Sequence, residues 1–236
     1  MSGSSTPCSS MFMEPTRNMV LYPEMVLPLT VGRPSSVAAV QQAVREQRRI
    51  DLLLQRDPEN SEPKPDDLYK VGTVANILRY VTSPEGGHHL VVQGVQRFQV
   101  TDFIDGQPFL VARGLHIAEP NATSSELEAR FLVLKDQVRQ VFDLLPQVPA
   151  EFRQTVEATT SPSLLADLAA TYLDITPAEK QELLETTEIV QRLDKVSKLL
   201  AHRLEVLKLS AEIGSKTKAS LEAREREVLL REQMAA

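Results

Sequence analysis

The sequence predicts an α+β protein: a β-rich domain with one helix, then an all-α helical bundle that ends in a long projecting helix. Three observations carry this. From Asn18 to about Glu119 the apolar residues recur mostly with period two, broken by Gly and Pro. After Glu119 the period changes to 3.6. Finally, Ile189, Leu193, Val196, Leu200, Leu204 and Leu207 step by three and four, as one continuous helical stripe does. The expected organisation is a disordered tail over 1–14, a β-rich domain over 15–119 and a helical bundle over 120–236.

Each element has its own warrant. "NMVLYPEMVLPLTVG" (18–32) is strand-like but punctuated by two prolines, which cannot donate to a ladder and so belong on an edge or at a bulge. "PSSVAAVQQAVREQ" opens with Pro34 and spaces Val37, Val40 and Val44 along one side of a helix. "PENSEPKPDD" (58–67) is a polar, proline-rich loop. "YKVGTVANILRYV" is β-rich, with Gly72 marking a bulge or a close backbone approach. "SPEGGHH" reads as a hairpin loop. "QRFQVTDFI" aligns Phe98, Val100 and Ile104, and "FLVARGLHI" aligns Phe109, Val111, Leu115 and Ile117.

The second half is a series of helices. "SSELEARFLVLKDQVRQVFDLL" starts on capping residues and runs to Pro146. "VPAEFRQTVEATT", "SPSLLADLAATYL" and "TPAEKQELLETT" each open with Pro in the first turn. Links this short favour packed antiparallel neighbours. The last helix starts near Glu188, and beyond Gly214 its apolar stripe thins to Leu221, Val228 and Leu229 among charges. It closes on "REREVLLREQMAA" with no Gly, Asn or Pro to stop it, so the helix is expected to run on in a longer protein. The period change places the boundary between two separately stable units at about Ile117 to Thr123.

Composition narrows the function classes. With 42% hydrophobic and 25% charged residues, the chain is a folding polypeptide of soluble type. Its net charge of −6 disfavours duplex-wide nucleic-acid electrostatics, although residues 216–231 carry a local basic strip interleaved with Glu. No apolar run approaches a membrane span, and no secretory leader is evident, so a cytoplasmic setting is expected. The single cysteine, Cys8, can form no internal disulfide. Phosphate-loop, dinucleotide and nucleophile-elbow motifs are all missing. His88 and His89 flank the hairpin and point to opposite faces; His116 and His202 read as surface residues. On its own residues the chain offers no catalytic, cofactor or metal site. The expected binding surface is the Tyr22-Pro23-Glu24-Met25 turn, with Tyr22, Pro23 and Met25 exposed and Val20, Val26, Leu27 and Leu29 in the core.

"LYPEMVLPLTVGRPSSVAAVQQA" resembles the opening of the Lon protease N-terminal domain. "YKVGTVANILRYV" resembles that family's Gly-Thr-x-Ala strand, and "LVVQGVQRFQV" its Gly-x-x-Arg-Phe strand, here Gly94, Arg97 and Phe98. "KQELLETTEIVQRLDKVSKLLAHRLEVLKL" and "REREVLLREQM" resemble its helical region and the helix leading to an ATPase module. The likeness runs over roughly residues 15–236. It implies a barrel-like first domain and the substrate-recognition and assembly region of an ATP-dependent serine protease of misfolded and regulatory proteins. ATP and magnesium would serve the parent protein, with no cofactor in this chain. The implied partners are unfolded or degron-bearing proteins and other copies of the chain, as a homohexamer; DNA binding would be weak. The family's arrangement sets the hairpin of Val81, Pro84 and Gly86 beside the Tyr22 turn. The alternatives are a self-standing protein-binding module and a nucleic-acid-binding region.

Overall fold

The computed structural model describes residues 6–7, 10–119, 124–145 and 147–235, with side chains for 10–119, 124–145 and 147–218. Seven strands make one mixed sheet: β1 (Thr6–Pro7), β2 (Met11–Thr16), β3 (Val26–Val31), β4 (Ile50–Leu54), β5 (Val71–Thr82), β6 (His88–Ile104) and β7 (Val111–Ile117). Their order is β1-β7-β2-β4-β5-β6-β3, and a further β6–β7 pairing closes β2, β4, β5, β6 and β7 into a ring. Among the described strands only β2 and β4 pair in parallel, which the long crossover between them, containing β3 and helix α1 (Pro34–Glu46), permits.

The two faces of the ring follow strand parity. Met11, Met13, Leu53, Val74, Phe98 and Val100 fill its interior. Phe12, Ile50, Leu52, Ala75, Leu90 and Val92 pack outward beneath α1. Met11 to Thr16 are therefore a buried strand and not the tail expected over 1–14. "MFMEPT" is short and lies beside a Ser-rich run, and nothing local shows that both its faces are covered. Helix α1 buries Ser36, Ala39, Val40 and Ala43 and leaves Val44 40% exposed, so its inner face is rotated from the valine stripe toward the small residues. Gly72 is a close approach: a Cβ there would lie 2.2 Å from the Leu52 carbonyl oxygen.

The helices are α2 (Ser125–Leu144), α3 (Ala150–Ala158), α4 (Pro162–Tyr172), α5 (Pro177–Glu185) and α6 (Ile189–Ala235). The starts of α2, α4 and α5 are capped as the sequence suggests. Ser124 accepts from the Leu127 amide at 3.1 Å, Ser161 from Leu164 at 3.2 Å, and Thr176 with Glu179 forms a capping box. Helix α6 is 47 residues long, about 70 Å. Ile189, Leu193, Val196, Leu200 and Leu204 are buried against the bundle, whereas Val206, Leu209 and Ile213 are exposed. Residues 120–123, where the expected boundary falls, lie outside the described set, as do Cys8 and the side chains of Leu221, Val228 and Leu229. Among the described residues no helix is long and apolar enough to cross a membrane.

The sheet and the bundle share a packed seam. Tyr22 belongs to the helical core, with Val20, Met25 and Val71 packed against it. Beside it Arg97, with no exposed surface, donates to Asp167 through two nitrogens at 2.9 and 2.7 Å and to the Leu184 carbonyl at 3.0 Å. Arg97 also contacts Glu119, and Arg192 reaches Glu119 at 3.3 Å and Asp167 at 3.5 Å. Burial pushes the Asp167 carboxyl up while the two guanidinium groups pull against it. Burial acts the same way on Glu119, but there Arg97 and Arg192 win and its pKa is lowered.

Candidate functional site

The Tyr22 turn is a clamp on the sheet and bundle, not a surface. Glu24 adopts φ 64°, its amide donates to the Gly94 carbonyl at 2.9 Å, and the Gly94 amide donates to the Met25 carbonyl at 2.9 Å. Glycine is required at 94, because a Cβ would stand 2.2 Å from the Tyr22 carbonyl oxygen. The Tyr22 side chain turns into the bundle and donates its hydroxyl to the Lys180 carbonyl at 2.8 Å. Tyr22 and Pro23 are buried, and Met25 is half-buried. Burial raises the Tyr22 phenol well above its ordinary value. The expectation that this turn is exposed is thus corrected: its prolines keep it out of the ladder, but the helical unit covers it, through a contact 158 positions downstream.

Nor does the hairpin adjoin the turn. Its tip lies between Thr82 and His88, which pair, whereas the turn engages Gly94. Six residues of β6 separate the two, about 20 Å. Gly86 takes φ 84° at the tip, where Pro84 is exposed.

What the strands do present to solvent is the other parity of β3. Leu29 and Val31 go under α1, which sends Val26, Pro28 and Thr30 outward. Val26 is 54% exposed, contrary to the core position expected for it. Across the sheet Pro28 pairs with the half-buried Val91, and Thr30 pairs with His89, which pairs with the 40% exposed Val81. Leu78, the extra residue at a β5 bulge, is 53% exposed. β3 pairs with β6 alone, so its outer edge is open, with Pro28 interrupting the donors along it. The result is a mixed sheet face on which Val26, Pro28, Val91 and Val81 stand among Thr30, His89, Gln93 and Arg79, beside an open strand edge. Val81 and Pro84, named from the sequence, are exposed at the hairpin end of this face; Val26, Pro28 and Val91 were not named as part of it. The available signal was the β3 parity, since Leu27, Leu29 and Val31 form the more apolar of its two triads.

His88 lies on the α1 side, its Nδ1 2.7 Å from the Tyr80 hydroxyl, and His89 points the other way toward Thr30. His116 is half-buried against Phe98, not on the surface as expected, because it faces the ring interior; burial lowers its pKa. Among the described residues no three His, Cys, Asp or Glu side chains come together as metal ligands.

Comparison with known proteins agrees with this architecture. Residues 11–202 match the family model described as the ATP-dependent protease La (LON) substrate-binding domain. The chain is 51% identical over 231 residues to a Lon protease of Phenylobacterium zucineum, covering 98% of this chain and 29% of that protein. It is 49% identical over 222 residues to a Lon protease of Methylocella silvestris, covering 94% of this chain and 27% of that protein. The chain therefore spans less than a third of the length of these relatives. In fold it is similar to the N-terminal domain of the Mycobacterium avium complex Lon protease, with a TM-score of 0.69 at 24% identity over 82% of this chain and 98% of that one. Strand ring, capped bundle and long helix thus occur together with a match across most of the sequence, and the chain belongs to the LON substrate-binding domain family.

Proposed function

We propose that the chain is the substrate-receiving region of a cytoplasmic, ATP-dependent serine protease of the Lon type, and that it holds unfolded or degron-bearing segments on the outward face of β3, β6 and β5. The observation that supports this reading is the outward row of Val26, Pro28, Val91 and Val81 beside an open edge. An unfolded segment offers apolar side chains and unpaired backbone, and this face offers a place for each. ATP and magnesium act in the parent protein, on domains beyond those described here.

The energetics fit a transient receptor. Covering a side chain that is already half-buried yields roughly 1 kcal/mol. Four such residues give about 4 kcal/mol before the cost of ordering the partner, so these contacts alone hold one copy at about millimolar affinity or weaker. Several copies acting on one substrate raise the effective affinity. The test is a double variant, Val26→Asp with Val81→Asp, whose fold is checked by circular dichroism. Titration of the 15N-labelled chain with reduced, carboxymethylated lactalbumin should show binding at least about tenfold weaker in the variant. Unchanged affinity in a folded double variant would remove this face from the function.

A further inference from the structure

Glu14 lies on β2 beneath the first turn of α1, in a groove that carries charges of both signs. Strand parity sends Phe12 and Glu14 toward the helix, while Met11 and Met13 point into the ring. Glu14 is 6% exposed, and among the described residues its Oε2 has no hydrogen-bond partner. The Ser36 hydroxyl and the Arg33 guanidinium both favour the charged carboxylate, but burial outweighs them and pushes its pKa up to about 7. Glu14 therefore changes charge in the neutral range. Besides Arg33, the other charged side chains lining the groove are Arg17 just past β2, Glu62 and Lys64 on the loop after β4, and Asp105 just past β6. No described histidine lines it.

Arg33 is engaged elsewhere. Its Nη1 donates to the Pro15 carbonyl at 3.0 Å and its Nη2 to Gln55 Oε1 at 2.5 Å, while its buried Nε has no partner among the described residues. Gln55, 2% exposed, directs its amide nitrogen to the loop, donating to the Asp57 carbonyl at 2.5 Å and the Asn60 carbonyl at 3.0 Å. Asn60 donates in turn through Nδ2 to Asp67 at 3.0 Å, and the same carboxylate oxygen accepts from the Lys64 amide at 2.8 Å. A series of hydrogen bonds thus joins Arg33 to the loop whose residues 61–65 form one wall of the groove. A neutral Glu14 makes no demand on Arg33. An ionised Glu14 does, because a carboxylate this deeply buried is strongly unfavourable without a paired cation. Arg33 lines the same groove with an N–H unused, and drawing its guanidinium toward Glu14 withdraws Nη2 from Gln55. The buried Gln55 oxygen then lacks its donor, so the Gln55 side chain must turn and give up the loop carbonyls.

We propose that Glu14, Arg33 and Gln55 form a proton-operated latch on loop 57–67: with Glu14 neutral the loop is held as a wall of the groove, and with Glu14 ionised Arg33 turns to it and the loop is released. The latch shares no residue with the outward row of Val26, Pro28, Val91 and Val81, so its test is independent of the receptor reading. The measurement is 15N relaxation of the labelled chain between about pH 5.5 and 8, with the Glu14 carboxyl followed by its own 13C resonance. The amides of Asn60, Ser61, Glu62 and Lys64 should titrate with the midpoint of Glu14, and their order parameters should fall from about 0.85 to about 0.6 or below as it ionises. Glu14→Gln keeps the neutral shape and should leave the loop rigid at pH 8. Gln55→Met cuts the link, so Glu14 should still titrate while the loop is equally mobile at both ends of the range. Loop order parameters in the native chain that do not change with pH would overturn the proposal. So would loop release that persists in a folded Glu14→Gln variant, or a Gln55→Met loop that still follows the Glu14 midpoint.

Discussion

Replacing Arg97 with Met should be among the most damaging single changes at the seam between sheet and bundle. In the native chain Asp167, with 3% of its side chain exposed, is held by two short contacts to Arg97 and one longer contact to Arg192 at 3.5 Å. The methionine fills much of the guanidinium stem's volume but leaves Asp167 with the Arg192 contact alone, and it leaves the Leu184 carbonyl without its donor. Breaking a buried pair from one side costs about 3–5 kcal/mol, because the surviving charge stays desolvated. That is a large share of the roughly 5–15 kcal/mol by which such chains are stable. Removing both partners, Arg97→Met with Asp167→Leu, leaves no buried anion on α4 and should recover at least about 1.5 kcal/mol of the single-variant loss. Urea unfolding followed by far-ultraviolet circular dichroism, run as a double-mutant cycle, measures both quantities. A cost below about 1 kcal/mol for Arg97→Met, or strict additivity in the cycle, would refute the view that this pair fastens the bundle to the sheet.

Acid–base linkage gives a second prediction. Burial pushes the Glu14 carboxyl up to about 7 from 4.5, against weaker opposing effects of Ser36 and Arg33. The folded state therefore holds this proton more tightly than the unfolded chain. The stability it confers is complete below about pH 4.5 and is lost as pH rises toward 7, by roughly 3 kcal/mol in all. Asp51, fully buried in the ring with both carboxylate oxygens unpartnered, shifts in the same direction. Glu14→Gln should flatten the fall in urea stability between pH 5 and 8 and be the more stable protein at pH 8; superimposable profiles would contradict the assignment. A third concerns α6. Amide exchange should be slow from Ile189 to Leu204, where the stripe is buried, and fast after Gly214, since Leu209 and Ile213 are already exposed. Uniform protection over 215–236 would mean that another copy of the chain covers this helix.

The sequence by itself determined most of the elements and their order, though not strands β2 and β4. Periods of two and 3.6 are local properties, and so are the caps: Ser124, Ser161 and the Thr176–Glu179 box act within four residues of themselves. Gly72 was legible for the same reason, since a glycine inside a strand has few other uses. What only the tertiary structure decided is which face of each element is covered, and by what. Tyr22 is buried by a carbonyl 158 positions away, and Arg97 by an aspartate 70 positions away. "MFMEPT" is a strand because β4, β7 and α1 enclose it, and Glu14 within it is buried for that reason alone. The outward row of β3 likewise follows from α1 docking on Leu29 and Val31, which leaves Val26 and Pro28 to solvent. Alternation states that a strand has two faces; only the docking of a distant element selects the one that meets water.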